Sequence, residues 1–171
     1  HINQNEFSQN YGCLDRDFWH YKVVKDFPSS IFQTGVLSLT FLYKKNFPGN
    51  VYFGQKKVLE LALAAISFWT KLQHPDGSFS EWYPYERSYV ATAFTSYAVS
   101  ETLLILGDEF PQQARKTAVE ALEKAGRWLT KHPDSQVANH LAGAVLALYN
   151  LYLLTGKQEL EKAAKENLAR L

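Results

Sequence analysis

The chain has 171 residues, 46% hydrophobic and 15% aromatic, enough apolar material for one packed domain and too much for a disordered tail. Eighteen basic residues against seventeen acidic leave a formal charge of +1, without the basic excess that nucleic-acid or anionic-membrane binding draws on, so neither partner is expected. Cys13 is alone, which excludes a disulfide framework and a metal site of paired cysteines; with no basic and apolar leader in the first residues, a cytoplasmic setting is expected.

Six helices are predicted in chain order, and they alternate in character. Pro28 to about Tyr43, Ser88 to Leu106 and Gln136 to Thr155 are poor in charge and rich in small and aromatic residues. Gln55 to Leu72, Gln112 to Lys131 and Gln158 to Leu171 carry charge on one side, as where Lys116, Glu120, Glu123 and Lys124 face away from Ala118, Val119, Leu122 and Trp128. Inner helices thus alternate with half-exposed outer ones. The uncharged run from Ser135 to Gly156 is long enough to cross a membrane, but Gln136, Asn139, His140 and Asn150 interrupt it, so it reads as a helix among helices. Phe94, Tyr97, Val145, Leu148 and Tyr152 are expected to be largely buried.

Punctuation agrees with these limits. Pro28 and Pro111 suit first turns, Gly107 and Gly156 suit helix ends, and His-Pro-Asp stops an outer helix twice, at His74 to Asp76 and at His132 to Asp134. The two stops belong to an internal repeat, Trp69-Thr-Lys-Leu-Gln-His-Pro-Asp76 and Trp128-Leu-Thr-Lys-His-Pro-Asp134, whose unit is a helical hairpin. Thirty-one residues separate Asp76 from Gly107 but twenty-two separate Asp134 from Gly156, so the first copy carries nine more. They fall around Gly77-Ser-Phe-Ser-Glu-Trp-Tyr-Pro-Tyr85, and an insertion in a stacked array maps to a loop on one face.

The expected fold is all-α, an α/α toroid-like array of helical hairpins forming an incomplete ring, with a hairpin solenoid as its competitor. The inner helices lack a charged stripe, and Gln73-His-Pro-Asp-Gly-Ser-Phe79 resembles the Gln-x-x-x-Gly-x-aromatic turn of terpenoid-cyclase-like toroids. Three hairpins make about half a ring. Residues 1–171 are therefore read as a single domain, a fragment or the N-terminal part of a longer protein.

Loops leading into inner helices open at one end of such an array. They hold Asp15, Asp17 and His20, then Glu81, Trp82, Tyr83, Tyr85 and Arg87, then Asn139 and His140, and these groups are expected to cluster. Aromatic faces beside Arg, His, amides and carboxylates suit a sugar cleft: rings stack, hydroxyls are hydrogen-bonded, and a cation meets a carboxylate. The first eight are therefore candidate substrate-binding residues. At the first turn of an uncharged helix, Asn139 and His140 sit where an anion is favoured. In the simpler reading, Asn139 satisfies backbone groups, His140 is a hydrogen-bonded core residue, and the tyrosines pack the loop.

Asn139-His140-Leu-Ala-Gly-Ala-Val-Leu-Ala-Leu resembles the Asn-Asn-His helix of heparinase II/III-like and related alginate-lyase toroids, with Ala138 in place of the first Asn. The stretches from Tyr11 to Leu39 and from Gln73 to Leu106 are similar to the N-terminal toroid region of heparinase II/III-like proteins. The resemblance implies a polysaccharide lyase acting by β-elimination on an acidic, uronate-containing polysaccharide. Asn139 and His140 would then be catalytic, neutralising the uronate carboxylate, while the family's Tyr and its β-sandwich would lie beyond Leu171. The alternative is a non-catalytic module that binds a glycan or a protein partner.

Two further chemistries are weighed on the residues. Glu81 and Glu86 form a possible glycosidase pair. Isoprenoid chemistry would need an Asp-rich motif that the chain lacks. No His-x-x-x-His or Cys/His spacing and no phosphate loop occur, so no metal and no cofactor are expected.

Overall fold

The alternation of apolar and amphipathic segments becomes two layers of helices in the computed structural model, which describes residues 2–14, 28–134 and 137–171. A 3-10 turn, Ser30–Gly35, leads into α1 (Val36–Lys44), followed by α2 (Lys56–Leu72), α3 (Tyr89–Leu106), α4 (Gln112–Lys131), α5 (Ala138–Thr155) and α6 (Gln158–Leu168). The fold is all-α. Among the described residues, extended pairing is confined to two isolated bridges, Ile2 with Leu14 and Phe79 with Ser88.

The uncharged helices α1, α3 and α5 lie side by side in one layer, each packing against the amphipathic helix that follows it, and α2 also meets α4 in the other layer. Six amphipathic or apolar segments joined by short turns have few other ways to bury their apolar faces. Trp69 and Phe79 stack with centroids 4.7 Å apart at the centre of the core, and the Trp69 Nε1 donates to the Thr95 hydroxyl at 2.8 Å. The α3 helix is long and apolar enough to cross a membrane by composition, yet it is packed against α1, α4, α5 and the 3-10 turn. Two of its buried hydroxyls bond within the helix, Thr92 donating to the Ser88 carbonyl at 2.7 Å and Thr95 to that of Ala91 at 2.6 Å, and Thr102 meets Thr40 of α1 at 3.1 Å, while the Ser96 hydroxyl has no partner among the described residues.

Three details differ from the sequence expectation. The first inner segment is not one helix, because Gln33 turns inward from the 3-10 turn: its Nε2 donates to the Gly12 and Ala65 carbonyls at 3.2 and 2.8 Å, and its Oε1 accepts the Leu14 N–H at 2.8 Å. The last helix stops at Leu168. Of the five inner residues expected to be buried, Leu148 is, whereas Phe94, Tyr97, Val145 and Tyr152 are half-buried. The inner layer keeps one face towards solvent, where Phe41, Leu146, Tyr149 and Leu153 are exposed.

Two glycines set how closely the pieces approach. Gly12, at φ +85°, lies against α2 so that a Cβ would stand 2.2 Å from the Ala64 carbonyl oxygen. Gly77, at φ +100°, lies against α4 in the same manner, 2.4 Å from the Lys124 oxygen. Each contact is flanked by a glutamine, since Gln73 donates to the Gly77 and Ala121 carbonyls at 3.1 and 2.8 Å as Gln33 does to those of Gly12 and Ala65. The Gln-x-x-x-Gly-x-aromatic turn thereby acquires a structural meaning: Gln73 and Gly77 seat it on α4 and Phe79 seats it on Trp69.

Candidate functional site

The nine-residue insertion folds as a hydrogen-bonded loop between Gly77 and α3. Asp76 starts it, accepting from the Ser78 N–H and hydroxyl at 3.0 and 2.6 Å and from the Arg87 Nε at 2.7 Å. Burial alone would raise the Asp76 carboxyl, but the Ser78 donors and the Arg87 guanidinium outweigh it and hold it at about 2. Inside the loop, Glu86 Oε2 accepts the backbone N–H groups of Glu81, Trp82 and Tyr83 at 2.9, 2.6 and 3.4 Å. His74 Nε2 donates to the Glu86 carbonyl at 3.0 Å and stands 2.9 Å from the Ser80 hydroxyl. Glu81 accepts the Ser88 hydroxyl at 2.9 Å, while Ser88 caps α3 by accepting the Ala91 N–H at 3.1 Å.

With so many internal bonds, the loop holds its aromatic residues outward. Trp82 and Tyr83 are exposed, and Tyr85 is 82% exposed at φ +63°, a conformation costing a non-glycine residue on the order of 1 kcal/mol. The Arg87 Nη1 steadies it by donating to the Tyr85 carbonyl at 3.1 Å. Among the described residues, the Arg87 Nη2 makes no hydrogen bond and can meet an incoming acceptor. The two carboxylates, by contrast, are engaged within the loop: Glu86 holds three backbone groups and Glu81 holds Ser88. That occupation speaks against a glycosidase pair, which needs one carboxyl as acid and the other facing water or the sugar.

The second copy of the repeat uses its Asp in a parallel way. Asp134 Oδ2 takes the His140 Nδ1 at 2.7 Å, which directs the imidazole Nε2 away from the carboxylate. Asn139 is exposed beside it in the first turn of α5 and makes no side-chain hydrogen bond among the described residues. The α5 N-cap is Val137, whose side chain accepts nothing. Tyr89 links the two copies: its ring lies 6.3 Å from that of Trp128 at the end of α4, and its hydroxyl faces Asp134. Burial raises the Tyr89 phenol above its ordinary value, and its buried hydroxyl has no hydrogen-bond partner among the described residues.

Ser88, Tyr89, Asp134 and His140 therefore connect the loop to the start of α5. Glu81, Trp82, Tyr83, Tyr85 and Arg87 share the loop, and His140 stands at the next helix start along this connection. Asp15, Asp17 and His20 lie outside the described residues. Sequence reasoning missed Asp134, Glu86 and His74 as organising groups. The repeat holds the signal for Asp134, since His-Pro-Asp occurs twice just before an inner helix, and the Asp there does more than stop a helix. Among the described residues, no three His, Cys, Asp or Glu side chains stand together as metal ligands.

No curated protein and no solved structure matches the chain significantly. A family model does match, over residues 49–171, which takes in the loop, α3 and the α5 start described above. Its description, Ulvan lyase N-terminal domain, agrees with a polysaccharide lyase-related, carbohydrate-active module, and by this match the chain belongs to the ulvan lyase N-terminal domain family.

Proposed function

We propose that the chain is an α/α-toroid-type segment that holds an acidic polysaccharide, with ulvan as the first candidate, at the end where the insertion loop meets the start of α5. The carrying observation is the loop itself, whose acidic side chains are engaged internally while Trp82, Tyr83 and Tyr85 face solvent beside Arg87. Aromatic faces suit sugar rings, and Arg87 Nη2 suits a carboxylate or another anionic group. The first turn of α5, which no side chain caps among the described residues, adds N–H groups and the helix dipole next to Asn139 and His140.

In the finer reading, the bound sugar is a uronate and the chemistry is β-elimination of the heparinase II/III type. Asn139 and His140 neutralise the carboxylate and so acidify the proton at C5. From the sequence alone, Asp15, Asp17 and His20, which precede the first inner helix, are further candidates for binding the same polymer. The family's description as an N-terminal domain supports reading the chain as the first part of a longer protein. A non-catalytic module that binds a glycan or a protein partner is the second reading, favoured by the loop carboxylates, which hold the Ser88 hydroxyl and three backbone N–H groups.

Titration with uronate and neutral oligosaccharides, followed by absorbance of the unsaturated uronate, separates these readings. Acidic sugars should bind better than neutral ones and lose affinity as salt is added. Asn139→Ala should weaken binding or turnover while unfolding as the wild type does. Binding without elimination selects the non-catalytic module. Equal binding of neutral and acidic sugars at all salt concentrations refutes the acidic-polysaccharide reading.

A further inference from the structure

The turn between α1 and α2 exposes four large apolar side chains: Phe47 at 46%, Val51 at 69%, Tyr52 at 47% and Phe53 at 49%. A loose turn would let such groups collapse onto the core. This one is pinned instead. The Asn50 Nδ2 donates to the Leu42 and Lys45 carbonyls, both at 2.7 Å, its Oδ1 accepts the Tyr52 N–H at 3.0 Å, and the Gly54 N–H reaches the Tyr43 carbonyl at 2.9 Å. Outward aromatic groups on a fixed backbone form a ready surface for a partner.

The turn lies far from the insertion loop. The Tyr43 hydroxyl donates to Glu109 at 2.6 Å and Lys44 pairs with the same carboxylate, just beyond the C-terminal end of α3, whereas the insertion loop feeds the N-terminal end. The 18 residues of α3 separate the two ends by about 27 Å at the usual helical rise.

Charge decides what the surface suits. From Pro28 to Leu59 the chain has no Asp or Glu, while Lys44 and Lys45 precede the aromatic run and Lys56 and Lys57 follow it. Lys44 pairs with Glu109, and Lys57 with Glu6 and Glu60 at 3.6 and 3.8 Å, which leaves Lys45, without an ion pair among the described residues, and Lys56, 88% exposed and 3.9 Å from Glu60, as the cations most open to a partner. A second copy docking by a two-fold contact would bring these lysines towards their own equivalents, which like-charge repulsion opposes. Aromatic faces flanked by cations match a chain of sugar rings that carries anionic groups.

We propose that the turn from Lys45 to Lys57 is a second binding surface for an acidic polysaccharide, gripping the polymer at the end of the array opposite the insertion loop. The proposal rests on the reading that the loop takes such a polymer, and the two are tested side by side.

Affinity electrophoresis through gels containing a polyuronate, ulvan or neutral dextran compares the wild type with Tyr52→Ala/Phe53→Ala, Lys45→Glu/Lys56→Glu and Trp82→Ala, each checked for native circular dichroism. The aromatic double variant should lose about tenfold in affinity for the acidic polymers and the charge variant a comparable amount, while Trp82→Ala loses independently. Retardation of both turn variants equal to the wild type overturns the second surface and leaves the loop reading to Trp82→Ala. Loss in the turn variants with none in Trp82→Ala upholds the second surface and removes the loop. No retardation of the wild type in either acidic polymer overturns both. A wild-type dimer that the aromatic variant converts to monomer in sedimentation overturns the proposal in favour of self-contact.

Discussion

The Asp76 carboxylate and the Arg87 guanidinium meet at 2.7 Å and join the two ends of the insertion loop across eleven residues of chain. The carboxyl is held at about 2, below its ordinary 3.8. A depressed carboxyl contributes stability that is complete above its unfolded value and disappears as pH falls through the folded one. Stability should therefore decline as pH drops from about 4 to about 2, and Asp76→Asn should flatten that part of the profile. Because the pair is partly exposed, the contribution is modest. Urea unfolding at a series of pH values checks it, and an unchanged slope in the variant refutes it.

Glu86→Ala should free the loop without unfolding the helices. Three backbone N–H groups lose their shared acceptor, so amide exchange at Glu81, Trp82 and Tyr83 should accelerate. Overall stability should fall by about 1 kcal/mol, since the site is near the surface and water can replace the acceptor. Polysaccharide binding should drop further than stability does.

Helix limits and layers were legible because they follow from periodicity and punctuation, both local properties. The predicted α3 and α4 match within a residue, since Ser88, Gly107, Pro111 and His-Pro-Asp mark their ends. The aromatic insertion was legible from the unequal spacing of the repeat. What stayed hidden was the direction of long-range bonds. Nothing local says that Glu86 turns back to the Glu81, Trp82 and Tyr83 backbone, that Gln33 points inward or that Asp134 reaches His140. The half-exposure of Phe94 and Tyr97 was also missed, because an apolar sequence reads as buried whether or not a neighbour covers it.

Asp134 should fix the proton on one nitrogen of His140. Nitrogen shifts of the imidazole in its neutral form should show Nδ1 protonated in the wild type and a mixture of tautomers in Asp134→Ala. An unchanged mixture in both proteins removes Asp134 from the site.

Gly77→Ala should cost roughly 2–4 kcal/mol, combining a positive φ with a Cβ placed 2.4 Å from the Lys124 oxygen. Denaturant unfolding measures the loss. A variant within 0.5 kcal/mol, on the order of an ordinary surface change, contradicts the close approach.

Because Gly12 meets α2 and Gly77 meets α4 main chain against main chain, the step from one hairpin to the next is gauged by van der Waals contact between backbone atoms, whose sizes are the same in every protein. Core side chains can then change size without altering that step. A relative with a different set of Leu, Val and Ala between its layers should therefore keep the interval between these two loops, whatever fills the interior.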